Sequence, residues 1–290
     1  MKKITKAVIP CAGMGTRFMP ITKVFPKELL PIIDTPVLSY IIDEAAESGI
    51  EDVLLVISPL KEDIRKYFTP NAELEDKLHA AGKDDVVKLL RNVYAKVNIT
   101  FAYQYSPLGN GDAVYRAKPF TGDEPFCLAW GDDLIYAAKP VMGQLIGAYE
   151  KYDASIIGGQ YIESDDIVKY GVADIKKSDG RAHLLRGIIE KPALSELTSR
   201  IASLGRYVIK PEVYAAIENT PKGRGGEIQI SDALNACCKE GAVYAYEFEG
   251  RRYDMGDKFG SITAQTEFAL KNPEFGDKYR EYIKELASRL

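Results

Sequence analysis

Hydrophobic residues change their spacing along this chain, and the changes mark out its elements. Residues 4–10 (ITKAVIP) and 53–57 (VLLVI) are short apolar runs. The second is unbroken between Asp52 and Ser58-Pro59, as expected of a strand covered on both faces. Between them, TPVLSYIIDEAAESG places Leu38, Ile41, Ile42, Ala45 and Ala46 on one helical face. Thr35 is the expected cap, Pro36 suits the first turn and Gly49 the end. Strand, loop, helix and strand in that order form a crossover unit, right-handed in a parallel sheet.

The alternation continues. A short helix at 61–68 and a polar helical insertion at 72–92, broken near Gly82, precede a strand at 98–104. A helix near 111–118, a strand at 126–130, a helix at 140–151 and a strand at 155–162 follow. The pattern then turns to β. GVADIKKSDGRAHLLRGIIEKP reads as two strands about a Ser-Asp-Gly turn. GRYVI and VYAYEFEG are further strands, with helical segments at 211–218 and 231–239. The tail 277–289 is an amphipathic helix with Tyr279, Tyr282, Ile283 and Leu286 on one side, an expected oligomer contact. With no internal repeat and no low-complexity linker, residues 1–290 read as one α/β domain. Its sheet is Rossmann-like, mixed and mostly parallel, with flanking helices in about 1–135, a β-rich portion in 136–260 and a helical tail in 261–290.

Composition removes several function classes. A net charge of -4 speaks against a general nucleic-acid binder. No apolar run approaches the roughly 20 residues that span a bilayer, and Lys6 and Pro10 make the opening a buried strand rather than a signal peptide. Cys11, Cys127, Cys237 and Cys238 contain no C-x-x-C pair and are expected as reduced thiols in the cytoplasm. His79 and His183 have no metal-ligand neighbour at helical spacing, and neither G-x-S-x-G nor G-x-x-x-x-G-K-[ST] occurs. Triad hydrolases, zinc enzymes and Walker-type nucleotide hydrolases are thereby disfavoured.

One stretch carries chemistry. GMGTRFMPITKVFPK, residues 13–27, follows the first strand, where open parallel sheets bind ligands. Before Glu28 there is no acidic residue, yet Lys2, Lys3, Lys6, Arg17, Lys23 and Lys27 are present. Gly13 and Gly15 let backbone N–H groups approach a phosphate; Arg17 brings a bidentate fork and Lys27 a point charge. Cations without local counter-ions suggest that a polyanionic ligand supplies the charge. A solvated basic loop with turn glycines is the alternative reading, and Lys2, Lys3 and Lys6 fit plain surface charges. A dinucleotide fingerprint fails because Phe18 stands where its third glycine belongs.

AGMGTRFMPITKVFPKELLP closely resembles the G-x-G-T-R…P-x-T…P-K-E-[LM]-L-P signature of the sugar-nucleotide pyrophosphorylases. Within that family it is most similar to the bacterial UTP–glucose-1-phosphate uridylyltransferases. The resemblance continues in order through YQYSPLGNGDAV, WGDDL, YGV, IEKP, GRYV, GGEIQISDAL and YDMGDKFG. It departs from the pattern where GNGDAV replaces GLGHAV and WGD replaces LPD.

The resemblance implies transfer of a uridylyl group from UTP to glucose-1-phosphate, releasing pyrophosphate, with Mg²⁺. The two substrates would be the partners, with no nucleic acid or membrane, in a homo-oligomer. It implies that Arg17 and the Gly13–Gly15 backbone hold the triphosphate, that Ala12 and Gly13 approach base and ribose from the other side, and that Thr16 is among the nucleotide-binding residues. Lys27 would stabilise the α-phosphoryl charge, and Lys191 would bind the sugar phosphate. Asp132 and Asp254 would hold the metal, with Asp133 and Asp257 as weaker candidates. Gln104, Gly109 and Gly111 fall at the base and ribose; Gly171, Glu190, Gly205 and Glu227 on the sugar side. The nucleophile is already ionised, so no general base is required, in keeping with the scarcity of histidine. A dTTP-using or broad-specificity relative is the nearest alternative, and a non-catalytic nucleotide-sugar sensor the alternative from another class.

Overall fold

The first strand, β1 (Lys6–Pro10), shows why the sheet forms: Ala7, Val8 and Ile9 are all fully buried. Ala7 and Ile9 point into one core and Val8 into another, because successive side chains leave a strand on opposite faces. The computed structural model describes residues 2–290 apart from 224, 225, 240 and 242. After β1 a long loop carries the short antiparallel pair β2 (Pro31–Ile32) and β3 (Thr35–Pro36) and then helix α1 (Val37–Glu47). Thr35 does not cap α1 as expected. It belongs to β3, and its hydroxyl donates to Asp34 at 3.0 Å, leaving α1 without a side-chain cap. A lost cap costs about 1 kcal/mol. Burying Leu38, Ile41 and Ile42 contributes about 1.5–3 kcal/mol each, so packing decides the helix.

The chain continues through β4 (Asp52–Ile57), α2 (Glu62–Tyr67), α3 (Ala72–Ala80), α4 (Asp84–Tyr94), β5 (Asn98–Tyr103), α5 (Asn110–Tyr115), α6 (Lys118–Thr121) and β6 (Phe126–Ala129). Next are β7 (Asp133–Tyr136), α7 (Val141–Tyr152), β8 (Ser155–Tyr161), the hairpin β9 (Gly171–Asp179) and β10 (Ala182–Glu190), and β11 (Ile201–Ile209). Then come α8 (Val213–Asn219), α9 (Ile230–Lys239), β12 (Val243–Glu247), β13 (Arg251–Asp254), α10 (Lys258–Lys271) and α11 (Gly276–Ala287). The helical tail thus starts at Lys258 and consists of two helices.

The main sheet runs β5-β4-β1-β6-β11-β8-β12-β10-β9. Strands β5, β4, β1 and β6 are mutually parallel, so their carboxyl ends open on one rim. From β11 onward the pairings mix parallel and antiparallel. One face is covered by α1 and α7, through Leu38, Ile41, Met142 and Leu145. The other is covered by α5, α8 and α9, through Ala113, Val114, Val213 and Leu234. Outside the sheet, β13 pairs antiparallel with β7, setting Asp254 opposite Asp133. A small apolar cluster of Ile32, Val37, Leu134, Tyr253, Met255 and Ala264 holds that ribbon against α1 and α10.

A buried ion pair locks three elements together. Arg206 on β11 is fully buried, and its Nε and Nη2 donate to the Glu44 carboxylate on α1 at 2.7–3.1 Å. Glu44 Oε1 also accepts from the backbone N–H of Met142 in the first turn of α7, at 3.0 Å. Removing one member leaves the other charge buried and unpaired. Arg206→Met should therefore lower unfolding free energy by about 3–5 kcal/mol in urea titration. Arg206→Met with Glu44→Leu should recover much of that loss; a single variant as stable as wild type would show that the pair contributes no such constraint.

Candidate active site

The site grows from the carboxyl rim of the parallel strands. β1 ends at Pro10, and the loop beyond it winds through three short 3-10 turns at Thr16–Phe18, Ile21–Lys23 and Lys27–Leu29. Gly15 sits at φ 66°, in the left-handed region where a Cβ is unfavourable, and its carbonyl accepts from Thr22 Oγ1 at 2.8 Å. That bond folds the loop back on itself. The third turn aims two consecutive side chains differently. Glu28 is buried, and both its oxygens accept from Lys61 Nζ, at 2.9 and 2.7 Å; Lys61 also donates to the Cys11 carbonyl at 2.8 Å. Lys27 faces the rim and pairs with Asp132.

Asp132 and Asp133 are neighbours with separate fates. Asp133 is buried, and Arg252 holds it from Nε and Nη2 at 2.7 and 2.9 Å. Arg252 also donates to Tyr170 Oη at 3.2 Å and stacks over that ring. Asp133 is therefore a strut between β7 and β13 rather than an open ligand. Asp132 lies between β6 and β7 on the rim, and its carbonyl accepts from Met255 N at 3.0 Å. A Cβ built on Gly256 would lie 2.7 Å from Asp132 Oδ2, 3.1 Å from Asp254 Oδ1 and 3.6 Å from Arg17 Nη1. Asp132, Asp254 and Arg17 thus converge on one point, and Arg17 donates to the Gly256 carbonyl at 3.2 Å. Asp257 is spent elsewhere, accepting from Phe259 N and Gly260 N at 3.0 Å each as the cap of α10.

The electrostatics agree with the geometry. Burial pushes the Asp132 carboxyl up, but the Lys27 ammonium beside it more than offsets this and leaves it below the usual carboxylate range. Burial likewise pulls Lys27 down, and Asp132 and Glu28 together lift it above its ordinary value. Both members stay charged. Glu28 goes the other way: burial outweighs Lys61 and Lys27 and raises it.

Two cavities flank this cluster. The first, about 270 Å³, is lined by Ala12, Gly13, Lys27, Gln104, Gly109 and Asp132, among others. The second, about 150 Å³, is lined by Gly171, Glu190, Gly205, Tyr207, Asp133 and Arg252, among others. Asn110 and Trp130 belong to both walls, so the cavities adjoin. Gln104 is the first residue after β5 and is buried, its N–H continuing the parallel ladder to Ile57 O at 2.8 Å. Gly205 sits at φ 55° where the register of β11 slips, and a Cβ there would strike Asp133 at 2.6 Å.

The candidate residues do not all meet. Arg17, Lys27, Asp132 and Asp254 come together, and Ala12, Gly13, Gln104 and Gly109 share the first cavity. Glu227 lines this first cavity rather than the second. Gly111 leaves room for Ile228, whose Cγ2 would be 2.8 Å from a Cβ there. Gly15 and Thr16 shape the loop without lining either cavity. Lys191 is exposed at the end of β10, with φ 47° and its N–H on the Tyr170 carbonyl at 3.1 Å. Its side chain makes no ion pair among the described residues. Glu28, Lys61, Asp112 and Arg252 support the site from behind; Glu28 and Asp112 lie within PKELLP and GNGDAV but carry no expected role there, and Lys61 and Arg252 lie outside the motifs.

Among the described residues no group of three His, Cys, Asp or Glu side chains is placed to hold a metal. A Mg²⁺ ion that also binds phosphate oxygens and water needs only one or two carboxylates, which Asp132 and Asp254 would supply.

A nucleotidyl transferase family model matches residues 6–271. The chain is 42% identical over 289 residues to a UTP–glucose-1-phosphate uridylyltransferase of Bacillus subtilis (strain 168), covering 100% of this chain and 99% of the relative. A structure titled a UTP-bound UGPase from Acinetobacter baumannii superposes with a TM-score of 0.90 at 33% identity, covering 98% and 99% of the two chains. A UDP-glucose pyrophosphorylase complexed with UDP-glucose gives a TM-score of 0.85 at 33% identity, over 93% of this chain and 100% of the other. The chain belongs to the nucleotidyl transferase family.

The Glu28–Lys61 pair gives a prediction with a definite pH sign. Lys61→Met should cost about 3–5 kcal/mol at neutral pH by leaving Glu28 buried and unpaired. Glu28 then has a folded-state pKa above its unfolded value, so the folded state binds the proton more tightly. The deficit should be full above that folded value and shrink as pH falls through it. Urea titrations at pH 8 and pH 5 check this; a larger deficit at pH 5 would contradict it.

Proposed function

We propose that this protein transfers a uridylyl group from UTP to glucose-1-phosphate, giving UDP-glucose and pyrophosphate. The observation that carries this is the convergence of Lys27, Arg17, Asp132 and Asp254 at the rim, where Lys27 and Asp132 line the first of two adjoining cavities. The first cavity suits a nucleotide: Gly13 and Ala12 offer backbone on one side and Gln104 an amide on the other. The second suits a sugar, with Glu190 and the Arg252–Asp133 pair among its polar groups. The relatives bearing this activity in their names support the assignment.

In the reaction a phosphate oxygen of glucose-1-phosphate forms a bond to the α-phosphorus, and the bond from that phosphorus to the bridging oxygen breaks. Pyrophosphate leaves with the electron pair. The attacking oxygen is already anionic, so the protein has to position and neutralise rather than deprotonate. Arg17 and the loop backbone bind the departing phosphates. Lys27, freed from Asp132 by competing phosphate oxygens, stabilises charge at the α-phosphoryl group. Lys191 holds the sugar phosphate; its left-handed backbone, a conformation costing about 1–3 kcal/mol, fixes where the side chain leaves the rim. Asp132 and Asp254 would hold Mg²⁺, which supplies electrostatic screening between the two anions.

The protein is proposed to act in the cytoplasm as a homo-oligomer. Cys11, Cys127 and Cys238 are buried thiols, and no helix among the described residues is long and apolar enough to cross a membrane. Tyr282 and Leu286 on α11 are 50% and 37% exposed, an apolar face suited to another copy.

Pyrophosphate release should be fastest with UTP and glucose-1-phosphate when UTP, dTTP, ATP, CTP and GTP are each assayed against glucose-, galactose- and N-acetylglucosamine-1-phosphate. Faster release with dTTP would move the assignment to a thymidylyl transfer, and no release with any pair would leave a sensor. Lys27→Ala should lower kcat by about 100–1,000-fold while UTP affinity falls far less; equal losses would remove its assigned role. Asp132→Asn should lower Mg²⁺-dependent turnover by about 100-fold or more with an unchanged circular dichroism spectrum. A fully active variant would exclude it as the ligand.

A further inference from the structure

Gln104 is held by bonds that fix which end of its amide can face a ligand. Its Nε2 donates to the Gly109 carbonyl at 2.9 Å and to Asp112 Oδ2 at 2.8 Å. Both partners are acceptors only, so the NH₂ end must point at them, and both of its N–H groups are spent. What remains is Oε1, an acceptor that takes no hydrogen bond from the described residues, on a side chain lining the first cavity. Asp112 is buried and is itself oriented by Arg116, whose Nη2 donates to Oδ1 at 2.7 Å. Gly109 is oriented too. It adopts φ 105°, and a Cβ there would run into the backbone of Ile228 and stand 3.0 Å from Glu227 Cβ. Ile228 N donates to Leu108 O, and Gly111 N donates to Ile228 O, each at 2.8 Å.

We infer that Asp112 is a positioning residue that sets base specificity: it locks the Gln104 amide with its carbonyl toward the base, so that the site takes a pyrimidine carrying an N3–H donor and refuses one with an N3 lone pair. The inference rests on the uridylyl-transfer reading and deepens it. Uracil and thymine both present N3–H and pass equally. Cytosine presents an acceptor at N3, and a buried acceptor facing another acceptor loses its hydrogen bond and gains repulsion. Without Asp112 the amide can rotate to offer a donor, and the distinction weakens. The carboxylate never meets the substrate; it acts through Gln104.

The test is steady-state pyrophosphate release with UTP and with CTP, each with glucose-1-phosphate, for wild type, Asp112→Ala and Asp112→Asn, together with thermal melts. Wild type should favour UTP over CTP in kcat/KM by about 100-fold or more. Asp112→Ala should lower kcat/KM for UTP about 10–100-fold, mainly through KM, and lower that for CTP much less, so the UTP/CTP ratio falls at least about tenfold. Asp112→Asn, whose Oδ1 can accept the same bond, should keep the ratio within about threefold of wild type. Equal losses for the two nucleotides in Asp112→Ala would mean a structural role only and overturn the inference. So would a wild type that uses CTP within about tenfold of UTP, a result that needs no variant to fold. In either case UTP turnover by the wild type would leave the uridylyl-transfer reading standing, whereas no UTP turnover at all would overturn both.

Discussion

The site depends on a relay of alternating charges, Lys61 to Glu28 and Lys27 to Asp132, in which neighbouring residues of one short turn take opposite partners. Glu28 and Lys61 are the buried end. Their pairing anchors the turn to the mouth of β1, where Lys61 also holds the Cys11 carbonyl. With Glu28 fixed inward, the next residue back, Lys27, must project outward. Gly131 is part of the same constraint: a Cβ there would strike Cys11 Sγ at 2.7 Å and press on Glu28 at 3.2 Å. The crossing from β6 to β7 can therefore pass close enough to bring Asp132 to Lys27. A substitution behind the site would be felt at its front.

A second division of labour follows along β7. Asp132 and Asp133 are identical in chemistry and adjacent in sequence, but Asp132 sits in the turn before β7 and Asp133 is the first residue of the strand. Arg252 takes Asp133 out of play as a ligand and turns it into the bolt between β7 and β13. That bolt sets the register Asp254↔Asp133, which carries Asp254 to Asp132 across Gly256. The metal-binding carboxylates proposed above are thus positioned by a third carboxylate. On the opposite wall, the segment at 227–230 plays the corresponding part. It packs on Gly109 and Gly111, and the first N–H of α9, from Ile230, donates to Asn110 Oδ1 at 2.8 Å. Asn110 lines both cavities, so the two share one wall.

Much of this was legible in the chain. The parallel half of the sheet was, because β4 is an unbroken apolar run and α1 keeps a helical stripe. The loop after β1 was, because a glycine such as Gly15, at φ 66°, marks a turn at the strand's end. Thr35 misled, since the short β2–β3 pairing takes it and burial of α1 makes a cap dispensable. The β7–β13 ribbon was missed because four-residue strands carry too little periodicity to show. Arg206 lay within an expected strand, but its partner Glu44 is far away in sequence, and nothing local distinguishes a buried arginine from a surface one. Glu227 lines the first cavity and not the one with Glu190 because its position depends on Ile228 crossing the start of α5, a contact between distant segments.

The cations that open the chain show how the fold revises a count made along the sequence. Lys3 pairs with Glu51, Lys6 with Glu124, and Lys2 donates to the Asp123 carbonyl. Their counter-charges come from residues far downstream, so these three need no ligand, as expected of surface charges. Lys27 finds Asp132 the same way. Arg17 and Lys23 make no ion pair among the described residues, and Arg17 has only a neutral carbonyl. A carbonyl leaves most of a guanidinium's charge uncompensated, whereas a triphosphate meets it with a bidentate acceptor. Competition for Lys27 is then less costly than it looks. In the proposed reaction, phosphate oxygens drawing the ammonium away from Asp132 would leave a carboxylate facing Asp254, and two facing carboxylates would favour a divalent cation arriving with the same phosphates. Under the proposed function, binding of the anion and exposure of the carboxylates proposed to hold the metal would in this way be one event.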